Sequence, residues 1–237
     1  YSYPAWSPDS KKVSVVDSRL RIWYVDVESK KAVQVDKERY WSLGNAWAPV
    51  WSPDSKRLAY AKRLPNYMYA IHCYSLVDGK VTQVTDGMSD ARNPVWDKDG
   101  KYLYFSASTD AGPSLQPDVG AFARPSTRNL YLIVLSKDEP SPFAPESDEE
   151  KGAEPPKPDA AKADTAKSDA PKPEGAKPEA KKPADVKIDF ERIGQRILAM
   201  PMPSRRYVGL DTGKAGVLFA IEAPAQATPG PASYTVH

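Results

Sequence analysis

Two kinds of chemistry are nearly absent from this chain of 237 residues: it holds one cysteine, Cys73, and two histidines, His72 and His237. A single thiol excludes an internal disulfide framework and a cysteine-based metal centre. The 13 glycines are scattered and form no phosphate-cradling loop. No metal and no cofactor is therefore expected. A catalytic serine needs a base, usually histidine, within hydrogen-bond reach. His72 falls in an alternating strand pattern and reads as a cross-strand packing residue, and His237 is the last residue, so no catalytic residue is assigned.

A charge excess is lacking as well. The 33 Lys and Arg against 31 Asp and Glu leave a net charge of +2, which is not the basic footprint of a nucleic-acid binder. No run approaches the roughly eighteen apolar residues of a membrane helix, so no membrane span is expected. The chain opens on Tyr1 without an initiator Met or a leader, and the expectation is an internal fragment of a longer polypeptide.

What is present is a repeat. Tyr-Pro-Ala-Trp-Ser-Pro-Asp-Ser-Lys starts at Tyr3, Pro-Val-Trp-Ser-Pro-Asp-Ser-Lys at Pro49, and Pro-Val-Trp-Asp-Lys-Asp-Gly-Lys at Pro94. Trp6, Trp51 and Trp96 thus recur every 45 residues, the length of one four-stranded propeller blade. Proline presets the turn and Asp or Ser can bond the local backbone, so each motif predicts a hairpin. Short β-branched and aromatic runs then predict second strands at Val13 to Val16, Arg57 to Ala61 and Lys101 to Ser106. Third strands are expected at Leu20 to Val27, Tyr69 to Val77 and Asn129 to Leu135, and Asp78-Gly79 turns the chain into a fourth strand, Val81 to Val84.

The predicted fold is all-β: a propeller fragment of about three to four four-stranded antiparallel blades, with repeats at about 1–45, 46–90 and 91–145. Trp6, Trp51 and Trp96 are expected between adjacent blades. Asp9, Asp54 and Asp99 recur once per blade and are expected to stabilise turns rather than hold a cation. Residues 146–185 form a Pro-, Ala- and Lys-rich insertion with no aromatic residue and a five-residue lysine period that fits neither helix nor strand. It is expected to be a disordered linker. Residues 186–237 should hold the end of the third blade, with Val186 to Phe190 as its fourth strand, and the start of a further blade containing Arg196 to Pro201 and Val217 to Ile221. Since propellers close with 4 to 8 blades, a larger ring is expected.

The repeats resemble the blade motif shared by TolB-type propellers, the prolyl oligopeptidase group and the tricorn proteases. The stretch from Leu135 to Glu150, and that from Val186 to Phe190 continuing through Arg196 to Pro201 and Arg206-Tyr207, resemble the second propeller of bacterial tricorn-like serine peptidases. That resemblance covers nearly the whole chain. It implies a parent hydrolase with two propellers, a PDZ-like domain and a peptidase domain that supplies the serine nucleophile outside residues 1–237. The implied partners are peptide substrates and those other domains, with a homo-oligomer as an option. The implied setting is cytoplasmic, with a periplasmic or exported one as the alternative.

In such a blade the connections between second and third strands share one face with those between blades. That face would carry Tyr40, Trp41 and Trp47, the Leu64 to Met68 loop, and the loop from Thr109 to Arg128. Arg92, Arg124 and Arg128 beside these aromatics are the substrate-channel candidates, able to attract a peptide's terminal carboxylate. The rival expectation is a TolB-like or scaffold propeller that binds a protein partner and has no enzyme activity.

Overall fold

Each tryptophan motif closes on itself for a local reason. Ser10, Ser55 and Gly100 hold the left-handed position of the turn, with φ of 57°, 60° and 76°. Their N–H groups donate to the carbonyls of Ser7, Ser52 and Asp97 at 2.8, 2.9 and 3.1 Å. This is a tight turn followed by a left-handed residue, in a hairpin connection of four residues between Ser7 and Lys12, Ser52 and Arg57, and Asp97 and Tyr102. Side chains lock it: Ser7 and Ser52 donate to Asp9 and Asp54 at 2.5 Å, and these carboxylates accept the N–H groups of Lys11 and Lys56. Asp99 likewise accepts the N–H of Lys101 at 3.0 Å.

The computed structural model describes residues 1–39, 47–109, 127–143, 185–224 and 233–237. It falls into a unit of Tyr1–Pro140 with Pro183–His237 and a second unit, Ser141–Lys182, of which only residues 141–143 are described. The expected linker lies, but for Asp185, outside the described residues.

The first unit is a β-propeller segment. Its first sheet contains β1 (Ser2–Trp6), β2 (Lys12–Val16), β3 (Arg21–Asp26) and β4 (Ala32–Lys37) in that order. The second contains β5 (Val50–Trp51), β6 (Arg57–Arg63), β7 (Tyr69–Ser75) and β8 (Lys80–Gln83). The third contains β9 (Asp90–Trp96), β10 (Tyr102–Ser108), β11 (Asn129–Val134) and β12 (Ile197–Ala199). A fourth sheet of β13 (Tyr207–Thr212), β14 (Leu218–Glu222) and β15 (Thr235–Val236) has three strands among the described residues. Successive first strands, β1, β5, β9 and β13, lie side by side, as blades around a common axis require.

Strand alternation sends opposite faces of the middle sheets into two cores. Leu58, Tyr60 and Tyr74 pack with Val16, Ile22 and Val35 between the first and second sheets. Ala59, Ala61, Ile71 and Cys73 pack with Trp96, Leu103, Phe105 and Ile133 between the second and third. Tyr104, Leu132 and Val134 turn the other way, towards Leu218 of the fourth. The indole N–H of Trp51 donates to the Ala5 carbonyl and that of Trp96 to the Val50 carbonyl, each at 3.1 Å. Each ring thus ties its hairpin to the first strand of the preceding sheet. Trp6 belongs to the first sheet and is 62% exposed. In the fourth sheet Thr212, rather than a tryptophan, donates to the Trp96 carbonyl at 3.1 Å.

Two strand expectations are corrected. Val186 to Phe190 are not in a strand, and the stretch Arg196 to Pro201, expected in the further blade, instead supplies β12, the fourth strand of the third blade, paired with β11 through Tyr131, Leu132 and Ile133. The reason lies in side-chain and capping contacts that compete with a ladder. Val186 is buried against Gly100 and its N–H donates to Asp54 at 3.1 Å. The Asp189 carboxylate accepts the N–H of Lys137, and Arg196 donates to the carbonyls of Val134, Glu191 and Asp189. This seat gives a test: a methyl group at Gly100, where φ is positive, would stand 2.7 Å from Val186 Cγ2. Gly100→Ala is expected to cost about 1–2 kcal/mol from backbone strain alone, read as a lower urea midpoint. The clash with Val186 should add to that loss, and a loss no larger than the strain alone would show that Val186 is not seated on this turn.

Candidate functional site

Opposite the tryptophan hairpins, the end of β4, the end of β6, the start of β7 and the starts of β9 and β11 bring charge together. Asp90 opens β9 and is buried, 4% exposed. Its carboxylate accepts from Arg128 Nη2 at 2.5 Å and from the N–H of Tyr69 at 3.1 Å. Arg128 Nη1 also donates to the Asp90 carbonyl at 2.5 Å. Arg92 Nε lies 2.9 Å from the same carboxylate, an ion pair whose angle does not make a hydrogen bond.

Two guanidinium groups therefore share one carboxylate. Burial by itself would raise the Asp90 pKa, but Arg92, Arg128 and the Tyr69 N–H hold it below its ordinary value. Tyr69 has two cations over its ring, with Arg92 4.3 Å and Arg63 5.2 Å from its centre. Each such contact is worth about 0.5–2 kcal/mol. Arg63 also lies 5.8 Å from the ring of Tyr67, which is 44% exposed. Glu38 is buried and accepts the N–H of Arg63 at 2.9 Å. Among the described residues the cluster thus gathers Arg63, Arg92 and Arg128 about Tyr69, with Asp90 on two of the guanidinium groups and Glu38 on the Arg63 N–H.

The structure brings Arg92 and Arg128 together on Asp90. It places Trp47 in the core, 7% exposed and edge-on to Tyr60 at 5.2 Å. Tyr40, Trp41 and Arg124 lie outside the described residues. Asp90, Tyr69, Arg63 and Glu38 were not singled out from the sequence. The available signal was Asp90-Ala91-Arg92, opposite charges two apart and so on one face of a strand.

Two of the scarce nucleophiles and bases, His72 and Cys73, are packed away. His72 stands directly across from Tyr60 and stacks on its ring at 5.9 Å. Burial lowers its pKa, and its Nδ1 lies 3.0 Å from the Ala70 carbonyl. Burial pushes the Cys73 thiol up to about 12, which leaves it inert as a nucleophile. His237 Nε2 lies 2.6 Å from Glu222. Among the described residues no group of three or more His, Cys, Asp or Glu could hold a metal ion, and no helix is long and apolar enough to cross a membrane.

Sheets of four antiparallel strands, repeated with equivalent hairpins and stacked through their tryptophans, define a β-propeller. The family described as the tricorn protease second beta propeller domain matches residues 2–231, and the chain belongs to that family. A tricorn-like protease C-terminal subunit of Sulfurisphaera tokodaii is 24% identical over 227 residues, covering 92% of this chain and 21% of that protein. Tricorn protease homolog 1 of Streptomyces coelicolor is 28% identical over 215 residues, covering 91% of this chain and 18% of that protein. The crystal structure of the tricorn protease superposes with a TM-score of 0.64 at 18% identity, covering 95% of this chain and 19% of that one. The chain thus spans about a fifth of the length of these relatives.

Proposed function

We propose that this propeller segment admits extended peptides and orients them for a serine peptidase domain carried elsewhere in the same polypeptide. The reaction itself, serine attack on a peptide bond with oxyanion stabilisation, belongs to that other domain. The observation that supports the reading is the cluster of Arg63, Arg92 and Arg128 about Tyr69 and Asp90, with two of the guanidinium groups on the Asp90 carboxylate. Guanidinium groups beside an exposed aromatic, Tyr67, suit a peptide's terminal carboxylate and its apolar side chains. Membership of a tricorn propeller family supports the same reading.

The test is steady-state hydrolysis by the full-length polypeptide of peptide pairs that differ only in a free or amidated C-terminus. The free-acid peptides are expected to show a KM about tenfold lower with kcat little changed, as about 1.4 kcal/mol of added binding would give. Arg92→Gln should shrink that preference. A full-length polypeptide without serine-inhibitor-sensitive turnover would overturn the peptidase reading, and equal KM values would overturn the guiding role.

A further inference from the structure

We propose that Asp97 is an acid that retains its proton, takes over the role of the serine hydroxyl in the third hairpin, and makes the junction with the fourth sheet loosen as pH rises. The three hairpins share their backbone bonds: the N–H groups of Ser7, Ser52 and Asp97 donate to the carbonyls of Lys12, Arg57 and Tyr102 at 2.9, 3.0 and 3.0 Å. In the first two, the side chain at that position is a hydroxyl donating to the Asp two residues on. In the third it is a carboxyl facing Asp99. A carboxylate can only accept, so two ionised groups in this arrangement would repel where the other hairpins have a bond.

The surroundings favour the neutral form. Asp97 is fully buried, and no donor reaches its Oδ2. Its Oδ1 accepts the N–H of Gly216 at 2.9 Å, in the turn between β13 and β14, beside the Thr212 contact with the Trp96 carbonyl. The titratable groups that face it are Asp99 in its own turn, beside Lys98, and the Tyr102 and Tyr104 phenols on β10. Burial first, and the shared proton with Asp99 second, raise its pKa to about 6. A raised folded pKa means that the stabilisation is full below the unfolded value and is lost as pH rises through the folded one.

Asn is the neutral isostere: its carbonyl can accept from Gly216 while its NH₂ donates to Asp99. Urea unfolding of the chain and of Asp97→Asn is compared from pH 3.5 to 8. Relative to Asp97→Asn, the folding equilibrium of the wild type is expected to fall by up to about tenfold per pH unit between the unfolded value and about 6, then level off. Asp97→Ser, which restores the side chain of the other hairpins, should remove the same pH dependence. Parallel profiles for wild type and Asp97→Asn would overturn the proposal. So would calcium at pH 8 that stabilises the wild type but not Asp97→Asn, since a cation would then occupy the proton's place. If the variants fail to fold, ¹³C titration of the Asp97 carboxyl decides: a midpoint near 3.8 overturns the assignment.

Discussion

In residues 1–237 by themselves, Trp96→Ala is expected to cost about 3–5 kcal/mol of folding stability, whereas Trp6→Ala costs about 1 kcal/mol or less. The two residues hold the same place in the same motif. Trp96 is 4% exposed, packs with the core between the second and third sheets, and donates to the Val50 carbonyl. Truncating it removes a large ring, leaves a cavity among Ala59, Ala61 and Leu103, and leaves that carbonyl without its indole donor. Trp51→Ala should resemble Trp96→Ala, because Trp51 is 8% exposed and makes the equivalent bond to Ala5. Trp6 is 62% exposed, so its ring has little burial to lose. Urea unfolding of the three variants checks the ordering. Equal losses at all three positions would mean that the tryptophan acts within its own hairpin, and the blade-to-blade role would fall.

The tryptophan spacing made the architecture legible because period, turn chemistry and strand alternation all point to one arrangement. Local signals were enough for the hairpins, since Ser-Pro-Asp-Ser carries its own turn bonds. They failed at Val186 to Phe190, which reads as a strand by composition. Its fate is set by Gly100 and Asp54, residues that no local pattern connects to it. The cluster was half legible for the same reason. Arg92 and Arg128 stand out as cations near aromatics, but the carboxylate that holds both is 38 positions from Arg128. Asp97 shows the converse: comparison of the repeats reveals the Ser-to-Asp exchange, but only burial shows what it does to the proton.

Asp90→Ala is expected to destabilise the chain by about 3–5 kcal/mol, the range for removing one partner of a buried ion pair. The loss leaves Arg128, 7% exposed, without its carboxylate, removes the ion pair to Arg92, and takes an acceptor from the Tyr69 N–H. Asp90→Asn keeps an acceptor and the volume but not the charge, so it should fall between wild type and Ala. The pH dependence has a definite sign. The folded pKa lies below the ordinary 3.8, so the stabilisation is present above that value and is lost as pH falls through the lowered one. The gap between wild type and Asp90→Ala should therefore narrow below about pH 3.8, whereas the Asp97 effect develops above it. Of the two carboxyls, Asp90 limits stability as pH falls and Asp97 limits it as pH rises. Urea midpoints of the single and double variants across both pH ranges separate the contributions. They should add, because the two residues sit at opposite ends of β9 and share no partner. A wild-type to Asp90→Ala gap that does not change with pH would show that Asp90 acts by packing and not by charge.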